Sequence, residues 1–431
     1  MDTSFPLDLA FLRSEIVGIN TRLNTPYGQR LLTYADYTAS GRSLRFVESY
    51  LLGKQVLYAN SHTEDDTTGR VTTELLHQAE EHIKAAVNAG PGGRIIATGS
   101  GATGAIDRMQ QIVGVRLPAA SRLILQQLAD AYLGEAQAKS FDEYCIANQP
   151  VVFVGPYEHH SNEISWREGL ASVVEVQLDE EGGIDLNHLK ALLQAPEYLN
   201  RLRIGSFSAA SNVTGIISPV HDIARLLHQH NALAFFDYAA SAPYVPIDMN
   251  PEPKDNIEGD ASMDAIFVSP HKFLGGPGAS GVLVFNERTY HKELPPTLAA
   301  GGTVDYVGPA SHTFIDDIEA REKGGTPGIL QTLKAAMVFD IKEAIGIEKL
   351  EAREQELTRR AMQRWEAHPN IEVLGNPDPT RRVGIISFNI LRGGKYYLHP
   401  RFVTTLLDDL FGVQSRAGCS CAGPYGHQLL V

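Results

Sequence analysis

Lys272 stands in the run Val268-Ser269-Pro270-His271-Lys272-Phe273-Leu274-Gly275-Gly276-Pro277-Gly278, just past the apolar stretch Ala265-Ile266-Phe267-Val268. An amine at a strand end, between a Ser/His pair and a glycine-rich exit, is suited to holding a carbonyl cofactor. The amine can form a Schiff base, and the serine, the histidine and backbone N–H groups can hold a phosphate. On its own such a lysine is more commonly an exposed loop residue than a catalytic one. A second feature shifts the balance: Ala232-Leu233-Ala234-Phe235-Phe236 is a buried-strand run that ends in Asp237-Tyr238-Ala239-Ala240. In an open α/β sheet, ligands bind beyond the carboxyl ends of the strands, which puts Asp237 and Lys272 on one rim.

A carboxylate at that rim can keep a pyridine nitrogen protonated, because an opposite charge favours the charged form. A protonated ring is the electron sink of pyridoxal 5'-phosphate (PLP) chemistry. Taken singly, Asp237 also reads as a helix N-cap. Arg94-Ile95-Ile96-Ala97-Thr98 leads into Gly99-Ser100-Gly101-Ala102-Thr103-Gly104 and a helix from Ala105. Strand, glycine turn and helix N-terminus make an anion site, with Thr103 as the side-chain contact. The string also fits the dinucleotide pattern G-x-G-x-x-G, but that pattern wants an acidic residue about 20 positions on, at a strand end. Residues 121–128 read as helix and supply none, which favours a single phosphate over a nicotinamide dinucleotide.

Three further clusters carry chemistry. Glu158-His159-His160-Ser161-Asn162 follows a strand, where a histidine can stack on an aromatic ring; a metal site is the alternative, without a second cluster of suitable spacing. Ser211-Asn212-Val213-Thr214-Gly215 can hydrogen-bond a phenolate oxygen or form a simple Asx-turn. Arg416-Ala417-Gly418-Cys419-Ser420-Cys421-Ala422-Gly423-Pro424 places cysteine in an Arg-flanked, small-residue loop, which shifts it toward the nucleophilic thiolate. Cys419, Cys421 and His427 are an incomplete set for structural zinc, so no metal is expected. Cys145 is expected to be buried.

These residues need a scaffold of alternating strands and helices. Strands are expected at Arg94–Thr98, Pro150–Val154, Arg203–Phe207, Ala232–Phe236, Ala265–Val268 and Gly281–Phe285, which points to an α/β fold with a mostly parallel central sheet between helices. The first ~30 residues have helix-like apolar spacing, followed by a short strand from Leu31 into the turn Asp36 to Gly41. An amphipathic helix is expected over Val71–Ala89 and a long one over Ile329–Ala367, then a strand over Val383–Ile390 and a helix over Arg401–Phe411. The division expected is an N-terminal segment (1–45) joining a smaller α+β domain (311–431), with a large domain over 46–310.

Composition is that of a globular enzyme, 43% hydrophobic and 20% charged over 431 residues. A net charge of −14, spread along the chain, argues against nucleic acid or anionic membrane as a partner. Met1-Asp2-Thr3-Ser4-Phe5-Pro6 has neither a basic nor an apolar region, so no signal peptide is expected. No apolar run approaches the roughly 20 residues that span a bilayer. Three cysteines make no disulfide framework, so a cytoplasmic setting is expected.

From Tyr34 to Pro424 the motifs resemble fold-type I, class V PLP-dependent enzymes, within them the cysteine desulfurase/selenocysteine lyase branch. The resemblance implies the PLP-dependent transferase fold and the following roles. Lys272 is the Schiff-base lysine, Asp237 holds the ring nitrogen, His159 stacks on the ring and Asn212 contacts its hydroxyl. The amide of Ala102 with Thr103, Ser269 and His271 binds phosphate. Asp36 to Ser40 mirrors a turn lining the substrate pocket, giving Asp36 and Ala39 a substrate-binding role beside Arg416. Gly301-Gly302-Thr303 matches the segment that reaches a neighbouring subunit's phosphate, which implies a homodimer with shared active sites. Arg321 with Gly325-Thr326-Pro327 matches the Arg-x-x-x-Gly-Thr-Pro signature, and Arg416-x-Gly418-x-x-Cys421-Ala422-x-Pro424 matches the loop of the persulfide cysteine.

The implied activity removes sulfur from L-cysteine through a Cys421 persulfide, with a sulfur-acceptor protein as partner. Another class V activity (C–S lyase, epimerase or transaminase) and a catalytically silent PLP-fold protein are the alternatives. Three departures from the family pattern stand out. Ala240 replaces a glutamine that contacts the ring oxygen, an extra helical piece occupies residues near 120–148, and the family pattern runs on past Val431 to an arginine that grips the substrate carboxylate.

Overall fold

Short apolar runs that stop abruptly at polar residues become the central sheet. The computed structural model describes residues 7–61, 65–253 and 257–429. Met1 to Pro6, read above for a signal peptide, lie outside them. Seven strands stand in the spatial order Gly93–Thr98, Gly281–Asn286, Ala265–Val268, Leu233–Asp237, Arg203–Ser208, Val151–Val154 and Ser172–Glu175. Neighbours from Ala265–Val268 to the Ser172–Glu175 edge are parallel, whereas Gly281–Asn286 is antiparallel to both of its partners. The strand ends that carry Thr98, Val154, Ser208, Asp237 and Val268 therefore share one rim. Asp237 is in register with Ser208 on one side and Phe267 on the other.

Alternate residues of each strand face opposite sides of the sheet, and both faces are covered. Phe236, Ile266, Val282 and Val284 pack with Leu76 and Ile83 of the helix Thr67–Ala86 and with Leu333 and Phe339 of the helix Ile329–Ile345. Phe235, Phe267 and Leu283 pack on the other face with Ala105, Ile106 and Met109 of the helix Gly101–Ile112, and with Trp166. Helix Thr67–Ala86 begins four residues before the expected start, because the Asp66 carboxylate caps the N–H of Gly69 at 2.7 Å.

Several expectations need correction. The N-terminal stretch is a short helix, Leu9–Glu15, followed by a hairpin of Arg22–Thr25 with Gly28–Leu31. The hairpin docks on the helix Pro400–Phe411, with the Thr25 hydroxyl donating to the Asp409 carbonyl at 2.7 Å and Arg30 Nε to the Leu410 carbonyl at 2.6 Å. Thr33–Tyr34 then pairs in parallel with Val413–Gln414, which joins the two chain ends. The long helix expected over Ile329–Ala367 is broken at Gly346, whose φ of +91° interrupts it between Ile345 and Ile347. The strand expected over Val383–Ile390 is shifted to Phe388–Arg392, in a three-stranded antiparallel sheet with Ile371–Val373 and Tyr396–Tyr397. The edge strand Ser172–Glu175 was not anticipated, since its four residues are all partly exposed and only Val173 and Val174 are apolar. The extra piece is a pair of helices, Ala119–Leu133 and Glu135–Asn148, of which only Ala138 is buried. Cys145 is exposed on it rather than buried. No helix among the described residues is long and apolar enough to cross a membrane.

Candidate active site

A cavity of about 240 Å3 opens at the carboxyl rim of the sheet. Lys272, Asp237, His159, Asn212, Ala102, Thr103, Ser269, His271, Ala39, Arg416 and Cys421 all line it. Segments as distant in sequence as Ala39 and Cys421 thus meet at one cavity. Asp36 stands behind this wall, its carboxylate 3.1 Å from Arg416 Nε. Thr303 does not reach the cavity within its own chain. It is fully buried, and its hydroxyl donates to the Ala300 carbonyl at 2.8 Å.

One end of the cavity is built from two strand exits. Ser269 Oγ accepts from the Ala102 N–H at 2.9 Å, tying the lysine loop to the N-terminus of the helix Gly101–Ile112. Gly101 has φ +60°, and a Cβ there would lie 2.9 Å from Ser269 Oγ, so the cradle needs glycine. The Thr103 hydroxyl is 2.7 Å from that of Ser161, which the sequence reading had passed over. Free N–H groups of a helix start, with serine and threonine hydroxyls, suit a phosphate. The turn Asp36 to Gly41 closes the lysine loop from above. The Ser40 hydroxyl and the Gly41 N–H both donate to the His271 carbonyl, at 3.0 and 2.8 Å, and a Cβ on Gly41 would fall 1.8 Å from the Phe273 carbonyl oxygen.

Burial sets the charge states. It pushes the Lys272 amine below its usual value, with the Asp237 charge working in the other direction. Asp237 is 5% exposed; burial raises its carboxyl, while the N–H of Ala239, donating at 2.8 Å, and then the charge of Lys272 pull it down. His159 is pushed down to about 4 by burial and then by the positive charges of Lys272, His160 and Arg416. Its imidazole is therefore neutral near pH 7. The Ser161 N–H donates to Nδ1 at 3.1 Å, which leaves the proton on Nε2. A neutral flat ring, a buried carboxylate and an amine around one cavity fit a phosphorylated pyridine aldehyde. The buried Asn212 Oδ1 also has no hydrogen-bond partner among the described residues, as expected of a group that meets a ligand. Ala240 lines the cavity too and offers no polar atom there beyond its backbone.

The cysteine loop is held more tightly than its small residues suggested. The Ala422 N–H donates to the Cys419 carbonyl at 2.9 Å, closing a turn whose central residues, Ser420 and Cys421, have φ of 49° and 61°. Both lie in the left-handed region that non-glycine residues rarely adopt. His160, the alternative metal ligand of the sequence reading, is the clamp: its N–H donates to the Cys421 carbonyl at 2.7 Å and its Nε2 accepts from Gly423 at 3.0 Å. Asn212 Nδ2 donates to the Ser420 carbonyl at 2.5 Å. Glu158, which precedes His159, is buried. Its position beside that histidine was the only sequence signal it gave.

Comparison with known proteins agrees with this architecture. A "Probable cysteine desulfurase" of Halalkalibacterium halodurans is 29% identical over 370 residues, covering 85% of this chain and 78% of that protein. One from Staphylococcus aureus is 29% identical over 402 residues, covering 92% and 84%. The apo structure of a cysteine desulfurase from Thermococcus onnurineus superposes with a TM-score of 0.74 at 19% identity, over 98% of this chain and 91% of that one. A cysteine desulfurase from Escherichia coli gives 0.71 at 19% identity, over 99% and 92%. These two structural likenesses bear on the fold alone. The family described as "Aminotransferase class-V" matches residues 136–431, more than half of the sequence, and the chain belongs to that family.

Proposed function

We propose that the chain is a PLP-dependent, cysteine desulfurase-like enzyme of the cytoplasm. The observation that carries this reading is that Cys421, in its Arg-flanked loop, opens onto the same cavity as Lys272 and Asp237. Bound in that cavity, PLP supplies an electron sink that stabilises negative charge at the substrate Cα. Lys272 is the residue that would hold the cofactor and move the substrate's Cα proton; its lowered basicity suits that task. Asp237 holds a proton on the ring nitrogen. His159 presents a neutral ring face, Asn212 meets the ring hydroxyl, and Ser269, His271, Thr103 and the Ala102 N–H hold the phosphate. Arg416, backed by Asp36, orients the substrate beside Ala39.

In this scheme the Cys421 thiolate attacks the sulfur of bound cysteine. The substrate C–S bond breaks, an S–S bond forms on Cys421, and the electron pair and a proton pass to the carbon skeleton, which leaves as alanine. The persulfide is then available to a sulfur-acceptor protein. Two copies of the chain share their sites, with the Gly301–Thr303 segment of each serving the other's phosphate. The named relatives support this reading, as does the co-location of lysine, aspartate and cysteine. The deciding experiment measures products from L-cysteine under reductant. Alanine with sulfide, and persulfide located on Cys421 by alkylation and mass spectrometry, is the expected result; pyruvate and ammonia would replace it with a C–S lyase.

A further inference from the structure

The chemistry proposed above leaves Glu158 without a part, yet it is bonded to Ser208 and adjacent in sequence to His159, both of which line the cavity. It directly precedes His159, is 3% exposed, and takes four donors. Oε1 accepts from the main-chain N–H groups of Gly155 at 3.1 Å and Ser208 at 2.8 Å. Oε2 accepts from the Ser208 hydroxyl and the Asn162 amide, both at 2.7 Å. Asn162 is fixed in turn, its Oδ1 accepting from the Ser206 hydroxyl at 2.6 Å and the Trp166 indole at 3.1 Å. The backbone is shaped around this carboxylate: a Cβ on Gly155 would lie 2.5 Å from Oε1. The unit bolts together the carboxyl ends of Val151–Val154 and Arg203–Ser208 and the turn that carries His159. Ser208 connects it to the cavity, which it lines while standing in register with Asp237.

A buried carboxylate is rarely left without a cation. No lysine or arginine among the described residues is bonded to Glu158. The titratable groups around it are Asp237 across the strand pair, Tyr157 and His159 on its own turn, and Lys272 beyond Asp237. Lys272 favours charge on Asp237 and no comparable group favours charge on Glu158. Burial accordingly pushes Glu158 up to about 7, against its hydrogen bonds from Ser208 and Asn162 and with the charge of Asp237 adding to the rise. A neutral carboxyl leaves no orphan here, because the Ser208 hydroxyl can turn from donor to acceptor.

We propose that Glu158 is a positioning residue of the cofactor cleft, which through Asn162 and Ser208 sets His159 against the ring face and fixes the strand end beside Asp237. The proposal rests on the reading that PLP occupies the cavity. Its test uses the cofactor-free full chain, with PLP as the titrant followed by fluorescence, and infrared difference spectra of the apoproteins between pH 6 and pH 8.5. Glu158→Gln keeps the volume and copies the neutral form, so its PLP affinity should stay within about threefold of wild type. Glu158→Asp is one methylene too short to serve Ser208 and Asn162 together. It should bind PLP about tenfold more weakly with unchanged circular dichroism, the effect of one hydrogen bond to a charged or buried acceptor. The wild-type apoprotein should show a protonated carboxyl band that fades over this pH range; Glu158→Gln should remove the Glu158 share of it and leave the share of Glu80, which burial also raises to about 7. Wild-type affinity in Glu158→Asp, or a carboxyl band unaffected by Glu158→Gln, overturns the proposal. If Glu158→Asp does not fold, Ser208→Ala decides: weakened PLP binding supports the proposal, and wild-type affinity overturns it. A wild-type chain that binds no PLP overturns it together with the cofactor reading, whereas the variant results strike this proposal alone.

Discussion

Replacing His160 by alanine separates the cysteine loop from the rest of the site. The side chain makes one bond to the loop, Nε2 accepting from Gly423, while its main-chain bond to Cys421 survives substitution. Against this hold stands the left-handed backbone of Ser420 and Cys421, which costs on the order of 1–2 kcal/mol per residue. Removing the acceptor loses a bond of about 1 kcal/mol and leaves an N–H short of a partner, for a total of about 1–3 kcal/mol. Hold and strain are of the same size, so the turn should relax and Cys421 should spend much of its time out of position. A loss of about 1.4 kcal/mol corresponds to a tenfold slower sulfur transfer. The assay is alanine release from L-cysteine under reductant, read beside the absorbance of the bound cofactor. His160→Ala should slow release about tenfold with an unchanged spectrum, and His160→Gln, which retains an acceptor, should recover part of the rate. Wild-type release from His160→Ala would refute the clamp. An altered cofactor spectrum would show that His160 acts on the ring rather than on the loop.

Lys272→Ala should remove the borohydride-reducible cofactor band and all turnover while leaving the fold intact; Asp237→Glu should retain more activity than Asp237→Ala, and wild-type behaviour in both aspartate variants would move the nitrogen partner elsewhere. Cys421→Ser should abolish alanine release with the cofactor spectrum preserved and Cys419→Ser should be mild, checked by mapping persulfide after alkylation. His159 is held down to about 4, below its ordinary value, so between about pH 6.5 and 4 the unfolded chain binds more protons than the folded one and stability falls with acid. Urea midpoints measured from pH 7 to pH 4 should therefore fall less steeply in His159→Gln than in wild type, and parallel curves would contradict the buried neutral imidazole. Sedimentation at micromolar concentration should give a dimer; a fully active monomer would falsify the shared site.

The rim chemistry was legible because each strand there is a short apolar run ended by the residue that does the work, as in Phe236-Asp237 or Val268-Ser269. Lys272, Asp237 and Cys421 could be named before their meeting in one cavity was known. Contacts that close the site from a distance were not legible. The bond of His160 to Gly423 joins segments with no shared local pattern, and nothing in Glu158-His159-His160 marks His160 as the histidine that holds a loop. The half-exposed edge strand Ser172–Glu175 lacks the apolar run that marked its neighbours. At the N-terminus, apolar residues spaced like a helix run on past Ile16, whose extended backbone ends the helix, and across the left-handed Gly18 and Gly28, the second at the turn of the hairpin. Gly346 likewise divides a pattern that is otherwise helical on both sides.

The position of Gly281–Asn286 in the sheet has a consequence for the order of assembly. The strand Gly93–Thr98, which launches the phosphate turn, is hydrogen-bonded in the sheet to Gly281–Asn286 and stands at its edge. As the chain leaves the ribosome, that first strand waits for a partner made nearly two hundred residues later. Meanwhile Val151–Val154, Arg203–Ser208 and Leu233–Asp237 can already pair with one another. Pairing across such a sequence gap forms late, because its loop-closure entropy must be met before the contact is rewarded. The half of the cavity that holds Asp237 and His159 can thus take shape before the half that holds Ala102 and Thr103. A nascent chain stalled short of Gly281 would carry an unpaired apolar edge, Ile95-Ile96-Ala97, of the kind chaperones bind.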